Sequence, residues 1–219
     1  MEEKQDLFSE FRITEERVES VIREMPKSYF KNFKNVSLID YKVEYKLNLC
    51  FLGKFIAFSI LVLKILHLFR TNNLNILIWA AIGFFLVGIF SNQYIWIHEF
   101  LHCVVCRKLN IDCKIIIDKS KGKLGHAHRI DWGYATKWKV AIHLLLPVII
   151  LGFLPLFLSV VITSSIKGIL IIFGWCQVIG SISDIFDGLN IILKVSDKEV
   201  VVLPPSGLAS NFFLKGKKI

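Results

Sequence analysis

Cysteine is sparse in this 219-residue chain: there are five, at positions 50, 103, 106, 113 and 176, with no regular framework. Two of them, Cys50 and Cys176, fall inside apolar runs, which argues against a small disulfide-stapled domain. Cys103 and Cys106 have CxxC spacing, but no second CxxC follows, so they read as small core residues on a helix rather than as a zinc knuckle or redox pair. Internal repeats and low-complexity tracts are absent from the sequence. The first 46 residues are polar and mixed in charge, so a signal peptide is not expected at the start. Acidic residues are also outnumbered, 18 against 27 Lys and Arg. The basic residues are spread over three segments without a recognisable nucleic-acid motif, and no nucleic-acid partner is expected.

Apolar residues are what the chain has in excess. It is 54% hydrophobic, with 18 Phe and a mean hydropathy of +0.55, more apolar than an ordinary soluble domain. The excess is concentrated in four blocks: Leu47 to Phe69, Leu74 to Cys106, Trp138 to Thr163 and Gly168 to Leu193. Each is at least as long as the roughly 20 residues a helix needs to cross a ~30 Å hydrocarbon layer. The expectation is an all-α membrane protein with about four transmembrane helices, in contact with membrane lipid.

The charges orient it. Nine Lys and Arg lie in residues 1–46, nine in 107–139 and five in 194–219, whereas the two short connections hold only Arg70 and Lys167. An even number of crossings puts the three basic segments on one side, and the positive-inside rule makes that side cytoplasmic. Both termini are then expected in the cytoplasm of a multi-pass protein of the cell membrane. Three parts follow: a soluble N-terminal segment (1–46), a four-helix membrane domain (47–194) and a basic tail (195–219). In the first, Thr14 to Met25 reads as a short amphipathic helix ended by Pro26, with Val18, Val21 and Ile22 on one face. Between the second and third helices, "IDCKIIID" (Ile111 to Asp118) followed by "KSKGKLG" reads as a small cytoplasmic loop or β-hairpin.

Against this background "IWIHEFLHCVV" (Ile95 to Val105) stands out, because ionisable residues inside an apolar helix cost several kcal/mol and usually mark function. His98 and His102 are four apart and stack on one helical face, where two neutral imidazoles can hold Zn²⁺. Glu99, rotated by about 100°, suits a general base. This is the HExxH arrangement of zinc peptidases. The competing readings are a buried His/Glu cluster that bonds helix to helix and a metal-ion or proton transporter. A transport path would want further charges in the other helices, and Lys54, Lys64 and His67 are the sole candidates.

Zinc needs a third protein ligand. The fourth block offers "GWCQVIGSISDIFDGLN", in which Gly174, Gln177, Gly180, Ser181, Asp184, Asp187 and Gly188 form one polar, small-residue stripe. Asp184 lies near the centre of that stripe and Asp187 about 60° to one flank. Depth counted from the basic helix ends slightly favours Asp187. His143, one turn into the third helix, is a candidate outer partner or oxyanion group, and otherwise an ordinary helix-end histidine. His126 and His128 lie in the loop near the expected mouth of the site. Asn92 and Gln93, just before the cluster, are candidates to kink their helix.

The order "HEFLH", "GHAH", "HLLLPVIILGFLPLF" and "GSISDIFDGLN" over roughly residues 50–205 resembles the putative zincin peptidases. These are small multi-pass bacterial membrane proteins related in plan to the site-2 type intramembrane metalloproteases. The resemblance implies His98 and His102 as zinc ligands, Glu99 as the catalytic base and Asp184 as the third ligand. The chain lacks the NPDG-like or LDG element of site-2 proteases, although "FDG" (Phe186 to Gly188) echoes it, so Asp187 stays open as an alternative. The activity implied is that of a zinc-dependent endopeptidase whose substrate is a protein or peptide with a transmembrane segment, cut near the cytoplasmic face.

Overall fold

The computed structural model describes residues 15–28, 33–39, 43–117, 125–206 and 213–218. In chain order the elements are α1 (Glu15–Arg23), β1 (Phe33–Leu38), α2 (Val43–Arg70), α3 (Leu74–Ile89) and α4 (Ser91–Lys108). Next come β2 (Cys113–Ile117), β3 (Gly125–Arg129), β4 (Gly133–Ala135) and α5 (Lys137–Val148). A π-helical turn (Ile149–Phe153) then leads into α6 (Leu154–Val161), followed by α7 (Lys167–Gly180), α8 (Ile182–Lys194), β5 (Glu199–Leu203) and β6 (Leu214–Lys218).

Two helical stretches, Asn48–Arg70 and Lys137–Val161, are each long and apolar enough to cross a membrane unbroken. The other two apolar blocks are bent pairs: α3 and α4 meet at 75°, and α7 and α8 at 58°. Among the described residues there are therefore two candidate spans, or up to four if each bent pair counts as one. Apolar side chains cover the outside of these helices, with Phe51 75%, Phe85 68% and Val160 83% exposed, as a lipid-facing surface requires and a water-facing one would not tolerate.

Close helix contact holds the bundle. Gly168 of α7 faces the α3 backbone at Ile76 and Ala80, and a Cβ there would collide with main-chain atoms. Without a hydrophobic force between helices in lipid, such small-residue contacts supply the packing. The second bent pair breaks at Ser181, whose N–H still bonds the Gln177 carbonyl (2.9 Å) while its own carbonyl accepts Ile185 N–H (3.0 Å). Both backbone groups of Ser181 thus stay bonded where the chain changes direction.

The fold is mostly helical, as expected, but all-α is too narrow a description. A four-stranded antiparallel sheet of order β1-β6-β5-β4 joins the N-terminal segment, the tail and the stretch before α5. In β5, Val200 and Val202 pack with Val18, Val21 and Met25 around α1. Val201 and Leu203 face the opposite way, into a core with Cys103, Cys106, Val140, Leu144 and Ile191. Burial on both faces explains why this strand is a continuous apolar run rather than an alternating one. The expected hairpin is present as β2 paired with β3, Ile115 opposite Ala127. The expected amphipathic helix is α1, one residue shorter at its start and two at its end; Thr14 lies outside the described residues.

Candidate metal centre

Helix α4 carries the two histidines and stops just beyond them in a left-handed cap. Asn110 has φ 57°, Ile111 N–H reaches back to the Cys106 carbonyl and Asn110 N–H to that of Arg107. This is the Schellman pattern, with Asn taking the position that glycine usually fills. It ends the helix two turns past His102 and turns the chain into β2. Trp96 and Phe100, stacked on each other and exposed, occupy a side of α4 away from the histidines.

Three side chains converge from the second halves of the two bent pairs. The Nε2 atoms of His98 and His102 are 3.0 Å apart, and Asp184 Oδ2 lies 3.2 Å from His98 Nε2 and 3.8 Å from His102 Nε2. Among the described residues these three form one group able to offer a ligand atom each, all within 4.8 Å of one another. Asp187, three residues further along α8, lies outside that group. The bends matter here: α8 turns away from α7 by 58°, and that turn directs Asp184 toward α4.

The protonation pattern can be followed outward. His102 is buried, and its Nδ1 lies 2.8 Å from the carbonyl oxygen of His143. An oxygen can only accept, so Nδ1 carries the proton and the Nε2 lone pair of the neutral ring points inward, toward a carboxylate oxygen. Two electron-rich atoms facing each other in a low-dielectric setting call for a cation or a proton between them. On the other side, the Gln177 side-chain amide touches His98 Nδ1 and lies 2.7 Å from Ser181 Oγ.

The donor set fits zinc. Tetrahedral ligands at Zn–N and Zn–O bonds of ~2.0–2.1 Å stand ~3.3 Å apart, and the observed separations of 3.0, 3.2 and 3.8 Å bracket that value. Two imidazoles and one carboxylate also make a three-ligand set that leaves a fourth position for substrate chemistry.

Around this group, Glu99 is half-buried, and its Oε2 accepts the Ala127 N–H of β3 at 2.8 Å, which ties the hairpin to the side of the helix that carries the carboxylate. His143 contributes through its backbone; its ring packs at 64° to that of His102, with centroids 4.8 Å apart, and both ring nitrogens lie 3.8 Å from Cys106 Sγ. His126 and His128 run in β3, and their side chains lie outside the described residues. Asn92 and Gln93 are exposed in the first turn of α4, directly after the bend.

Two features of the surroundings had no side-chain signature in the sequence reading. Arg129, at the end of β3, is buried; its Nε donates to the Pro204 carbonyl (3.0 Å) and its main chain exchanges bonds with Ser206, so the hairpin is anchored to the tail. Burial pulls its guanidinium below the ordinary arginine value. At the start of β2, a hydrogen bond with Cys106 and then burial hold the Cys113 thiol well above the ordinary thiol range, which keeps it protonated.

The geometry defines a class first: a mostly helical protein, suited to a membrane, with a His–His–Asp group able to take a metal ion. The model of the putative zincin peptidase family matches residues 92–200, a stretch that contains all three of these residues, and through it the chain belongs to that family. Membership implies zinc and a metallopeptidase. No curated protein and no solved structure gives a match.

Proposed function

We propose that the chain is an intramembrane zinc endopeptidase that cuts membrane-embedded or juxtamembrane segments of protein substrates near the cytoplasmic face. The observation that carries the reading is the convergence of His98, His102 and Asp184 on one point, with Glu99 on the same helix between the two histidines. Family membership supports peptidase chemistry, and the exposed apolar helices support a membrane setting.

His98, His102 and Asp184 would hold the ion. Zinc there supplies Lewis acidity, which polarises a carbonyl and eases ionisation of water. Glu99 takes the proton from the attacking water and passes it to the leaving amine, so one carboxylate acts first as base and then as acid. The Ala127 N–H bond at Oε2 holds that carboxylate in place while it does so. His143 keeps His102 in its Nδ1–H form throughout.

The test separates metal from chemistry. Zinc content of the purified protein should be near one per chain, and should fall sharply in His98→Ala. Glu99→Gln should keep the zinc, because the imidazoles are untouched, and lose cleavage of a transmembrane-segment reporter by about 10²- to 10⁴-fold. Equal zinc in wild type and His98→Ala would end the metal reading. Wild-type cleavage rates in Glu99→Gln would remove Glu99 from its role.

A further inference from the structure

We infer that Gln177 is a positioning residue that sets the tautomer of His98, and through it the strength of metal binding. The inference rests on the zinc reading above and extends it to a residue that touches neither metal nor substrate.

Gln177 sits in the last turn of α7, just before the bend at Ser181, and is only 4% exposed. In this structure its amide Nε2 touches the ring nitrogen of His98 that points away from Asp184, and donates to the Ser181 hydroxyl oxygen at 2.7 Å. His102 has a fixed outer partner, because a carbonyl can only accept. His98 differs: its outer partner is a primary amide, with a donor at one end and an acceptor at the other. The two ends fit different tautomers. With the NH₂ toward His98, Nδ1 must hold a lone pair, so the proton moves to Nε2 and points at His102 Nε2 and Asp184 Oδ2, 3.0 and 3.2 Å away. That arrangement satisfies the pocket without a cation. With the carbonyl oxygen toward His98, Nδ1 carries the proton and the Nε2 lone pair faces inward beside that of His102. That arrangement needs a cation, and the Ser181 hydroxyl can donate to the same amide oxygen.

The amide can thus serve the two states by a half-turn about its last torsion, which exchanges N and O at nearly identical positions. An outer partner of a metal-bound histidine is worth about 10- to 100-fold in affinity. The Gln177 stem packs beside Gly152 of the π-helical turn, where an added Cβ would stand at ordinary contact distance, 3.5 Å, from its Cγ. The small-residue stripe that includes Gln177 in the sequence is therefore more than a packing face at this position.

The test uses the full chain in detergent and reads the zinc dissociation constant by competition with a chelator, together with the visible spectrum of the Co²⁺-loaded protein. Gln177→Leu, which removes both ends of the amide, should weaken zinc by about 10- to 100-fold. Gln177→Glu keeps an acceptor and removes the donor, so it should bind at least as tightly as wild type and give a wild-type Co²⁺ spectrum. A merely structural role would predict the reverse order, since a buried carboxylate disturbs packing more than Leu does. If Gln177→Leu does not fold, Gln177→Met, nearer in length to the amide, carries the same arm. Wild-type affinity in Gln177→Leu or Gln177→Met, or a loss in Gln177→Glu as large as theirs, overturns the inference while the zinc reading stands. Absence of zinc from the wild type overturns both.

Discussion

The carbonyl oxygen of His143 accepts the Nδ1 proton of His102 at 2.8 Å, and its availability follows from a residue one turn away. In a regular helix that carbonyl would accept the N–H of residue 147. Position 147 is proline, which has no N–H and whose ring crowds the carbonyl four residues back. The local cost of a proline inside α5, about 3 kcal/mol in an exposed helix, is offset where the released carbonyl finds a donor on α4. A π-helical turn follows directly after α5.

Pro147→Ala should therefore act at a distance. The new N–H competes with His102 for the His143 carbonyl, so the helix gains stability while zinc binding weakens, by up to about tenfold since the partner is shared rather than lost. Thermal melts and chelator competition on the same preparation check both halves. Unchanged zinc affinity would mean that His102 does not depend on this carbonyl.

Topology gives a second expectation. Reporter fusions should put the N-terminus, residues 107–137 and the C-terminus on one side of the membrane, the cytoplasmic one, because segments 1–46, 107–139 and 194–219 hold 23 of the basic residues and the short connections two. The sheet adds a geometric reason: β1, β4, β5 and β6 come from all three segments and pair with one another, so they cannot be on opposite sides. A reporter at the loop that reads outside the cell would move the site to the other face.

The sheet is also where the sequence was least legible. Strand β6, "LKGKK", lies between β1 and β5, yet it carries three lysines and a glycine and has no β-former beyond Leu214. Its place comes from pairing with β5, a tertiary choice that local pattern does not report. The bends were half legible. The second apolar block was too long for one straight span, and Asn92 and Gln93 were candidates to kink it; the 75° turn falls just before them, at Phe90, where the backbone bonds Phe90 N–H to Leu86 and Tyr94 N–H to Phe90 persist on both sides. The His–Glu–His pattern was legible because all of its spacing lies within one helical turn. The His143 carbonyl was not, because main-chain acceptors have no letter of their own; the proline four residues later was the available clue.

The identity of the third ligand is the sharpest remaining test, because the sequence offered two aspartates on one stripe. Position on the stripe favoured Asp184, and depth from the helix end slightly favoured Asp187. The depth argument treated the fourth block as one straight helix. With α8 turned 58° from α7 at Ser181, distance along the chain no longer measures depth, and Asp184 opens the new helix in its first turn, directed toward α4. Its Oδ2 lies 3.2 Å from His98 Nε2, whereas Asp187 stands outside the group. Gly188, which faces Leu145 of α5 at 3.0 Å for an added Cβ, holds the next turn close to the bundle. Asp184→Ala should therefore lose zinc as completely as His98→Ala, and Asp184→Asn should lose most of it, since the amide keeps the shape but not the charge. Asp187→Ala should keep zinc within a few-fold of wild type. Metal analysis of the four variants in parallel decides it: zinc retained in Asp184→Ala and lost in Asp187→Ala would give the ligand role to Asp187 and require α8 to rotate from the position seen here.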